Sequence, residues 1–557
     1  KEVKPGVYVY DFGQEITGWC RLKAEGPAGT HVRLRHAEKI ARDGSLDVRN
    51  LWGVQQEEDY ILDGRGPHVF EPHFTYHGFR YVELSGLPAG ISPGELTAVN
   101  IRSDLPIAGQ FECSDALYNR IQKAAFWTQA NLLFDVPAGC AARSERLAWT
   151  GDIRPCVQSL LFDFNADAFL AKYTQDLRDD QTAAGQFTDI CPHASLRGTT
   201  RCVGSPGWAD AGVSLPWNLY VNTGDRQMLA DHFEAARRWV DFVHSNNPDL
   251  IWTNDRGNDW GDWLSAGPAT PREIGSTAFF AHSADLVARM AGALGRSADA
   301  DYYGGLFQKI RRAFGEKYVG TNGIIGDDGD VQGSYALALQ FGLLDEHQKS
   351  MAVSRLMRLV TANGHHPTTG FWSSVELLLA LSGNGCNAEA ARMLDQRTMP
   401  SWGYMAENST TLWEAFDANT RNLSLNHWTH SAVNEWLWRN VAGLNPDEQS
   451  PGYQSFTIYP RPTAEVSWCR SNYSSVRGPI VSNWRRDGDR FNLEVKIPAN
   501  TTATVIMPAI DPDTVKESDK PAARAEGVTL VRAGAGTATF QVGSGDYHFT
   551  SQISSEE

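Results

Sequence analysis

No apolar run in this 557-residue chain approaches the roughly 20 residues that a membrane-spanning helix needs. Positive charge is also scarce. Fifty Lys and Arg against 66 Asp and Glu leave a net charge of −16, which disfavours nucleic acid and anionic membrane surfaces as partners. Long-range attraction of polyanionic substrates is disfavoured too, although local arginines can override it. The eight cysteines (Cys20, Cys113, Cys140, Cys156, Cys191, Cys202, Cys386 and Cys469) contain no CxxC pair. That excludes a zinc signature and a disulfide framework, and buried free thiols are expected instead. No glycine-rich phosphate loop lies between a strand and a helix, and no G-x-S-x-G elbow occurs. The acidic run DDGD at 327–330, like Asp259 and Asp262, lacks EF-hand spacing and its closing Glu, so these residues read as loop turns. Neither a dedicated cofactor nor a metal is expected.

What is present is ordinary globular material: 42% hydrophobic and 21% charged residues, enough chain for about two to four domains. The aromatic load is high, with 18 Trp, 17 Tyr and 24 Phe. A large core accounts for most of it, and sugar-binding clefts, where pyranose C–H faces stack on indoles, are the second source. The chain opens at Lys1, already inside a strand-like run, so a preceding segment is expected, and a bacterial cytoplasmic or periplasmic setting fits the composition.

Residues 1–105 alternate apolar and polar positions in short runs (VYVYDF, HVRLRHAE, EEDYILDG, ELTAVNIRS) broken by Gly, Pro and Asp. Two antiparallel sheets forming a sandwich are the simplest packing. His36, His73 and His77 in this stretch could be pictured as metal ligands, but histidines at sheet edges are more often hydrogen-bonded structural groups. From 106 to 445 the pattern turns helical. Ser114 and Asp115 can cap a helix through LYNRIQKAAFWTQANLL, and DRQMLADHFEAARRWVDFVHS, STAFFAHSADLVARMAGALG and HQKSMAVSRLMRLVTAN follow at helical spacing. Loops rich in Gly, Pro, Asp and Trp join them. Residues 446–557 return to alternating strands and form a second sandwich, fraying at SQISSEE.

The chemistry concentrates in NLLFDVPAGCAARSERLAWTGD, residues 131–152. Two arginines (Arg143, Arg146), two carboxylates (Glu145, Asp152) and one indole (Trp149) crowd into ten residues. If the segment after Cys140 is helical, Glu145, Trp149 and Asp152 share one face. A carboxyl beside a flat apolar ring loses hydration of its charged form, which suits a proton donor in glycoside cleavage. A structural Arg/Glu ladder is the alternative. A second acidic segment, SWGYMAENSTTLWEAFD at 401–417, offers Glu407, Glu414 and Asp417, equally eligible on residue type alone. Three loops carry further candidates: Trp208 and Asp210 in SPGWADAG; Asp259, Trp260, Asp262 and Trp263 in RGNDWGDWLSAG; and His427 in LSLNHWTHSAV. Tryptophans can also plug a barrel end and aspartates cap a helix, so each loop alone stays open.

VPAGCAARSERLAWTGD resembles VPTDCPQRDERLGWTGD of the bacterial α-L-rhamnosidases, a family of inverting six-hairpin glycosidases. SWGYMAENSTTLWEAFD is similar to that family's PSWGYMxExGATTxWExWD, RGNDWGDWL to RGNDFGDWL, and the segment around His427 to SFNHYAFGAV. PGVYVYDFGQEITGW, LRHAE and FTYHGFRYVE resemble the sandwich preceding its catalytic domain. The resemblance implies an (α/α)6 toroid of six hairpins at 106–445, flanked by N-terminal (1–105) and C-terminal (446–557) β-sandwiches. It implies Glu145 as general acid and Glu414 as general base, facing each other across one pocket with room for water. Trp149, Asp152, Trp208, Asp259, Trp260, Trp263 and His427 would bind the sugar, and Arg143 would hold a carboxylate or a hydroxyl. The chain departs from the pattern at Gly139, where the family carries an Asp that helps hold the rhamnose hydroxyls, and at Ala141, Ala142, Ser144 and Ala148.

The expected activity is exo-acting, inverting release of terminal α-L-rhamnose or a closely related deoxy-sugar from a rhamnosylated glycoside or oligosaccharide, with a homodimer as an open option. Another six-hairpin glycosidase, a glycan phosphorylase, a uronyl hydrolase or a non-catalytic carbohydrate-binding protein are the alternatives.

Overall fold

The computed structural model describes residues 1–88, 94–143, 145–193, 202–326, 328–534 and 536–553. A sheet-rich N-terminal region, a core of helical hairpins and a C-terminal pair of sheets follow one another along the chain.

The N-terminal strands were expected as two sheets and form a single seven-stranded antiparallel one, beside a small ribbon of Lys39–Ile40 with Leu46–Asp47. The cause is Val7–Ala24, a strand of 18 residues. It pairs with His77–Ser85 along its first part and with Leu96–Asn100 and His68–Phe70 along its last, so both halves hang on one backbone. A register shift between Asp11 and Ile16 interrupts the ladder, where such irregularities bend a strand. Its inward residues Cys20, Leu22 and Ala24 join Val32, Leu34, Phe79, Val82 and Leu84 in a separate core.

From Ala116 onward the helices come in pairs of unequal burial. Gln332–Gln340 buries every residue except its last two. Its partner Glu346–Ala362 buries only Ala352, Leu356 and Val360, a stripe spaced by four. Ala211–Thr223 and Arg226–Asn246 show the same contrast, as do Arg272–Ala293 and Ser297–Tyr318. Apolar residues all round place one helix of each pair inside, and a stripe places the other outside. Local chemistry sets the turns. Gly224 takes the left-handed φ of 72° that ends one helix, and the Asp225 carboxylate accepts from Met228 N to start the next. Asp115 caps Ala116–Ala130 by accepting from Leu117 N and Tyr118 N, while Ser114 Oγ accepts from Ser467 N instead. The loops that carry candidate site residues precede the inner helices: Trp208 before Ala211–Thr223, Asp259 to Trp263 before Arg272–Ala293, and His427 before the final helical run from Thr429.

The C-terminal sheets have seven and five strands and pack through Phe540 and Phe549, whose ring centroids lie 5.8 Å apart. Gly109–Cys113, grouped with the helical segment on sequence, is a strand of the larger sheet and pairs with Trp468–Ser475. Only glycine allows its approach to the helices, since a Cβ on Gly109 would lie 2.1 Å from Phe162 O and 2.6 Å from the Trp438 ring. Cys20, Cys113, Cys140, Cys156, Cys191, Cys386 and Cys469 are buried free thiols. Among the described residues no helix is long and apolar enough to cross a membrane.

Candidate active site

The stretch after Cys140 is not helical. Cys140 and Arg146 adopt left-handed φ values of 52° and 47°, which a continuous right-handed helix excludes, and the first helical turn is Thr150–Ile153. Glu145 and Trp149 meet nonetheless: the indole Nε1 donates to Glu145 Oε1 at 2.8 Å. The ring therefore presents its polar edge to the carboxylate, not its flat face. Arg146 turns the other way, donating to Tyr76 O at 2.6 Å and covering the Tyr76 ring at 3.9 Å, so it ties this loop to the N-terminal region.

Of the three carboxylates in the second segment, only Glu414 is buried. Its Oε2 accepts from Arg143 Nη2 and, at 3.1 Å, from Ser424 N. Glu407 is exposed and paired with Arg397, and Asp417 lies 3.6 Å from Arg421. Cys140 shows that the two acidic segments converge. Burial pushes its thiol pKa up, and the charges of Glu414, Glu145 and Asp152 push it further.

Asp152 and His427 form the next layer, with His427 Nε2 at 3.0 Å from Asp152 Oδ1 and both side chains buried. Burial raises the Asp152 pKa, partly offset by His427. Burial works against the charged imidazole, but the Asp152 carboxylate outweighs it and raises the His427 pKa. His427 Nδ1 has no protein partner. Around this pair runs a wall of rings. Trp149 meets Trp260 edge-on at 5.5 Å, Trp260 meets Trp263 at 6.0 Å and Trp208 at 6.3 Å, Trp208 stacks on Phe371 at 6.4 Å, and Phe371 meets His427 at 5.4 Å. Gly151 is what lets Trp208 lie flat there, since a Cβ would sit 2.4 Å from its ring. Asp259 is buried at φ 44°, bridged to Arg256 at 3.1 Å, and its Oδ1 has no protein partner. Burial raises its pKa.

Scanning family models finds the bacterial alpha-L-rhamnosidase six-hairpin glycosidase domain over residues 106–441, the concanavalin-like domain of the same proteins over 1–102 and their C-terminal domain over 443–521. The chain belongs to the bacterial alpha-L-rhamnosidase family. It is 39% identical to an alpha-L-rhamnosidase of Streptomyces avermitilis across 99% of this chain and 52% of that protein, and 29% identical to one of Formosa agariphila across 95% and 58%. Among solved structures it is similar to the S. avermitilis alpha-L-rhamnosidase complexed with L-rhamnose (TM-score 0.92, 39% identity, 99% of this chain and 52% of that one). The alpha-L-rhamnosidase of Dictyoglumus thermophilum superposes with a TM-score of 0.93 at 30% identity, over 99% of this chain and 62% of that one. The chain spans about half the length of the curated relatives it matches.

Some residues singled out by sequence do not reach the pocket of this rhamnosidase-family chain with a free polar group. The Asp210 carboxylate accepts from Gly207 N, Trp239 Nε1 and Ser283 Oγ, and Asp262 from Thr270 Oγ1, Ser373 Oγ and Trp372 N. Both staple loops to helices. Asp330 pairs with Arg355 and accepts from Tyr335 OH at 2.8 Å, while Asp327 lies outside the described residues. His73 is exposed, whereas His36 and His77 stack at 4.3 Å, and with Glu58 they bring possible ligand atoms within 4.8 Å of one another.

Other residues were missed. Asp189, in an unremarked TDI, is buried and accepts from Trp260 Nε1 at 3.0 Å and from Ser205 Oγ at 2.6 Å; burial raises its pKa. Phe371 closes the ring wall. Glu38, in the N-terminal LRHAE, accepts from Asn50 Nδ2 and from Leu425 N at 3.2 Å, beside the loop that holds Glu414. Burial is the main cause that pushes its pKa up to about 7. Its charged neighbours in that loop come from the far end of the chain, so no local signal announces the role. At Gly139 a Cβ would lie 3.1 Å from Leu147 O and 3.8 Å from Trp149 Cδ1, so the backbone accommodates a side chain with a small adjustment and does not require glycine.

Proposed function

We propose that the chain carries the catalytic machinery of an exo-acting, inverting glycoside hydrolase that releases terminal α-L-rhamnose or a closely related deoxy-sugar. The supporting observation is that Glu145 and Glu414, contributed by segments at opposite ends of the helical region, share one pocket with Trp149, Arg143 and the Asp152–His427 pair. An inverting glycosidase needs a proton donor and a water-activating carboxylate on opposite sides of the bond. Protonated Glu145, oriented by the Trp149 indole, donates to the glycosidic oxygen. Glu414, oriented by Arg143 and Ser424 N, takes a proton from the attacking water. Asp152, Asp259 and His427 Nδ1 offer hydrogen bonds to sugar hydroxyls, and Trp149, Trp260 and Trp263 supply ring faces and edges.

In this reading the alternating buried and striped helices are the inner and outer rings of a six-hairpin toroid, bounded near 105 and 445 by the sheet regions. Glu145→Gln and Glu414→Gln, assayed on an aryl α-L-rhamnoside, should each lower turnover by about 10²–10⁴-fold. Wild-type turnover in both variants would end the assignment. Proton NMR of the released sugar at the first time point should show the inverted anomer and identify the sugar, which is the question Gly139 raises. Dependence on inorganic phosphate would instead indicate a phosphorylase.

A further inference from the structure

One side chain of the N-terminal region reaches the rim of this pocket and has no part in the chemistry above. Trp52 follows a single turn, Arg49–Leu51, and sits at φ 54° and ψ 39°. A bulky residue keeps that left-handed conformation only where its surroundings hold it. Here the indole Nε1 donates to Asn422 O at 3.0 Å, and one ring face covers the Arg143 guanidinium at 4.0 Å. Asn50, two residues earlier, donates to Glu38, which in turn accepts from Leu425 N. Lys39 Nζ donates to Asn422 Oδ1 at 3.0 Å. Asn422 and Leu425 flank Ser424, whose N–H holds Glu414. The indole is thus fastened to Arg143 and to the loop of the proposed base.

Despite these ties Trp52 is 61% exposed, whereas Trp149, Trp208, Trp260, Phe371 and His427 are buried or half-buried. A side chain that only shielded Arg143 would bury itself in doing so. Trp52 instead spends one face on the guanidinium and leaves the other in solvent. A pocket that takes a terminal sugar leaves the rest of the substrate outside, and an indole face fixed at the rim is what a ring in that position would meet. Stacked rings gain from apolar area and from C–H or edge contacts with the π-face.

Resting on the hydrolase reading, we propose that Trp52 forms a leaving-group subsite, its outer face stacking on the first ring of the aglycone, whether a pyranose or an aryl ring. Arg143 and the Asn422 carbonyl fix the platform, so the subsite belongs to the N-terminal region although the chemistry belongs to the helical one.

The test compares wild type, Trp52→Ala and Trp52→Phe on three substrates with the same terminal sugar: α-L-rhamnosyl fluoride, which has no aglycone ring, 4-nitrophenyl α-L-rhamnoside, and a rhamnosyl-glucose disaccharide. The expected result is a loss in kcat/KM of about threefold to tenfold for Trp52→Ala, confined to the ring-bearing substrates and largely restored by Trp52→Phe. Loss on the aryl glycoside alone assigns an aromatic aglycone, and loss on the disaccharide alone assigns a sugar. Equal loss on all three substrates, the fluoride included, would overturn the proposal in favour of a structural role through Arg143, and so would no loss on any. Wild-type protein that cleaves none of the three would overturn the hydrolase reading itself, a failure visible before any variant is made.

Discussion

The C-terminal sheets share one continuous apolar core with the helices, whereas the N-terminal sheet keeps a core of its own and reaches the helices through polar groups. At the C-terminal junction Trp438 stacks on Phe162 at 5.2 Å and 11°, with Phe111 and Tyr473 around it. At the N-terminal junction Asn131 Nδ2 donates to Glu15 O, Thr17 N to Asn131 Oδ1, Glu15 N to Thr410 Oγ1, and Leu425 N to Glu38. Apolar burial stabilises without fixing direction, while hydrogen bonds fix geometry and add little net stability. One sheet region therefore contributes mainly to keeping the helices folded. The other contributes to where Arg143, Glu145 and Glu414 stand.

The sharpest way to break this comparison is Trp438→Ala, expected to reduce global stability by about 3–5 kcal/mol in urea unfolding while leaving kcat per folded molecule unchanged. A variant that unfolds normally but turns over slowly would reverse the contrast. Glu38→Ala tests the other side. Leu425 N and Asn50 Nδ2 lose their acceptor, so about 1–3 kcal/mol of stability goes, together with a roughly tenfold or larger drop in kcat. If kcat holds while stability falls, the N-terminal sheet is no more than a support. Gly78→Ala should act more weakly and in the same direction. Its Cβ would lie 2.6 Å from Ala142 N, displacing the loop that leads to Glu145, and kcat/KM should fall several-fold with a small change in melting temperature.

The mildest effect at neutral pH is expected at the C-terminal junction, where Asp163 accepts from Asn434 Nδ2 at 2.9 Å. Burial pushes its pKa from 3.8 up to about 8, against the hydrogen bonds from Asn434 and Gln122. Between those values the folded chain holds a proton that the unfolded chain has released. Its contribution is complete below about pH 4 and is lost as pH rises through 8. Asp163→Asn should flatten that part of the stability–pH curve, measured by denaturant unfolding at several pH values. An unchanged slope would mean the carboxyl is charged in the folded state.

Residue type and order made the two acidic segments legible, and the structure does gather Glu145, Trp149, Asp152, Glu414, Arg143 and His427. The local path between them was not legible, because nothing in CAARSER announces that Cys140 and Arg146 take left-handed backbone conformations. Asp189, Phe371, Glu38 and Trp52 escaped for a different reason. Each is an ordinary residue until a fold built from distant segments places it, as Leu425 N does for Glu38. The strand Gly109–Cys113 belongs to the same class, since its five residues sit beside a helix and their partner lies near the other end of the chain.

The inner helices Ala211–Thr223, Arg272–Ala293 and Ser374–Gly383 all begin next to loops that line the pocket. Each amino end carries about half a positive charge from its aligned peptide dipoles. The hole is therefore lit by a convergent backbone field as well as by one guanidinium. That field opposes the burial that drives protons onto Asp152, Asp189 and Asp259, and it lets so many acids crowd a site whose side chains alone would repel one another.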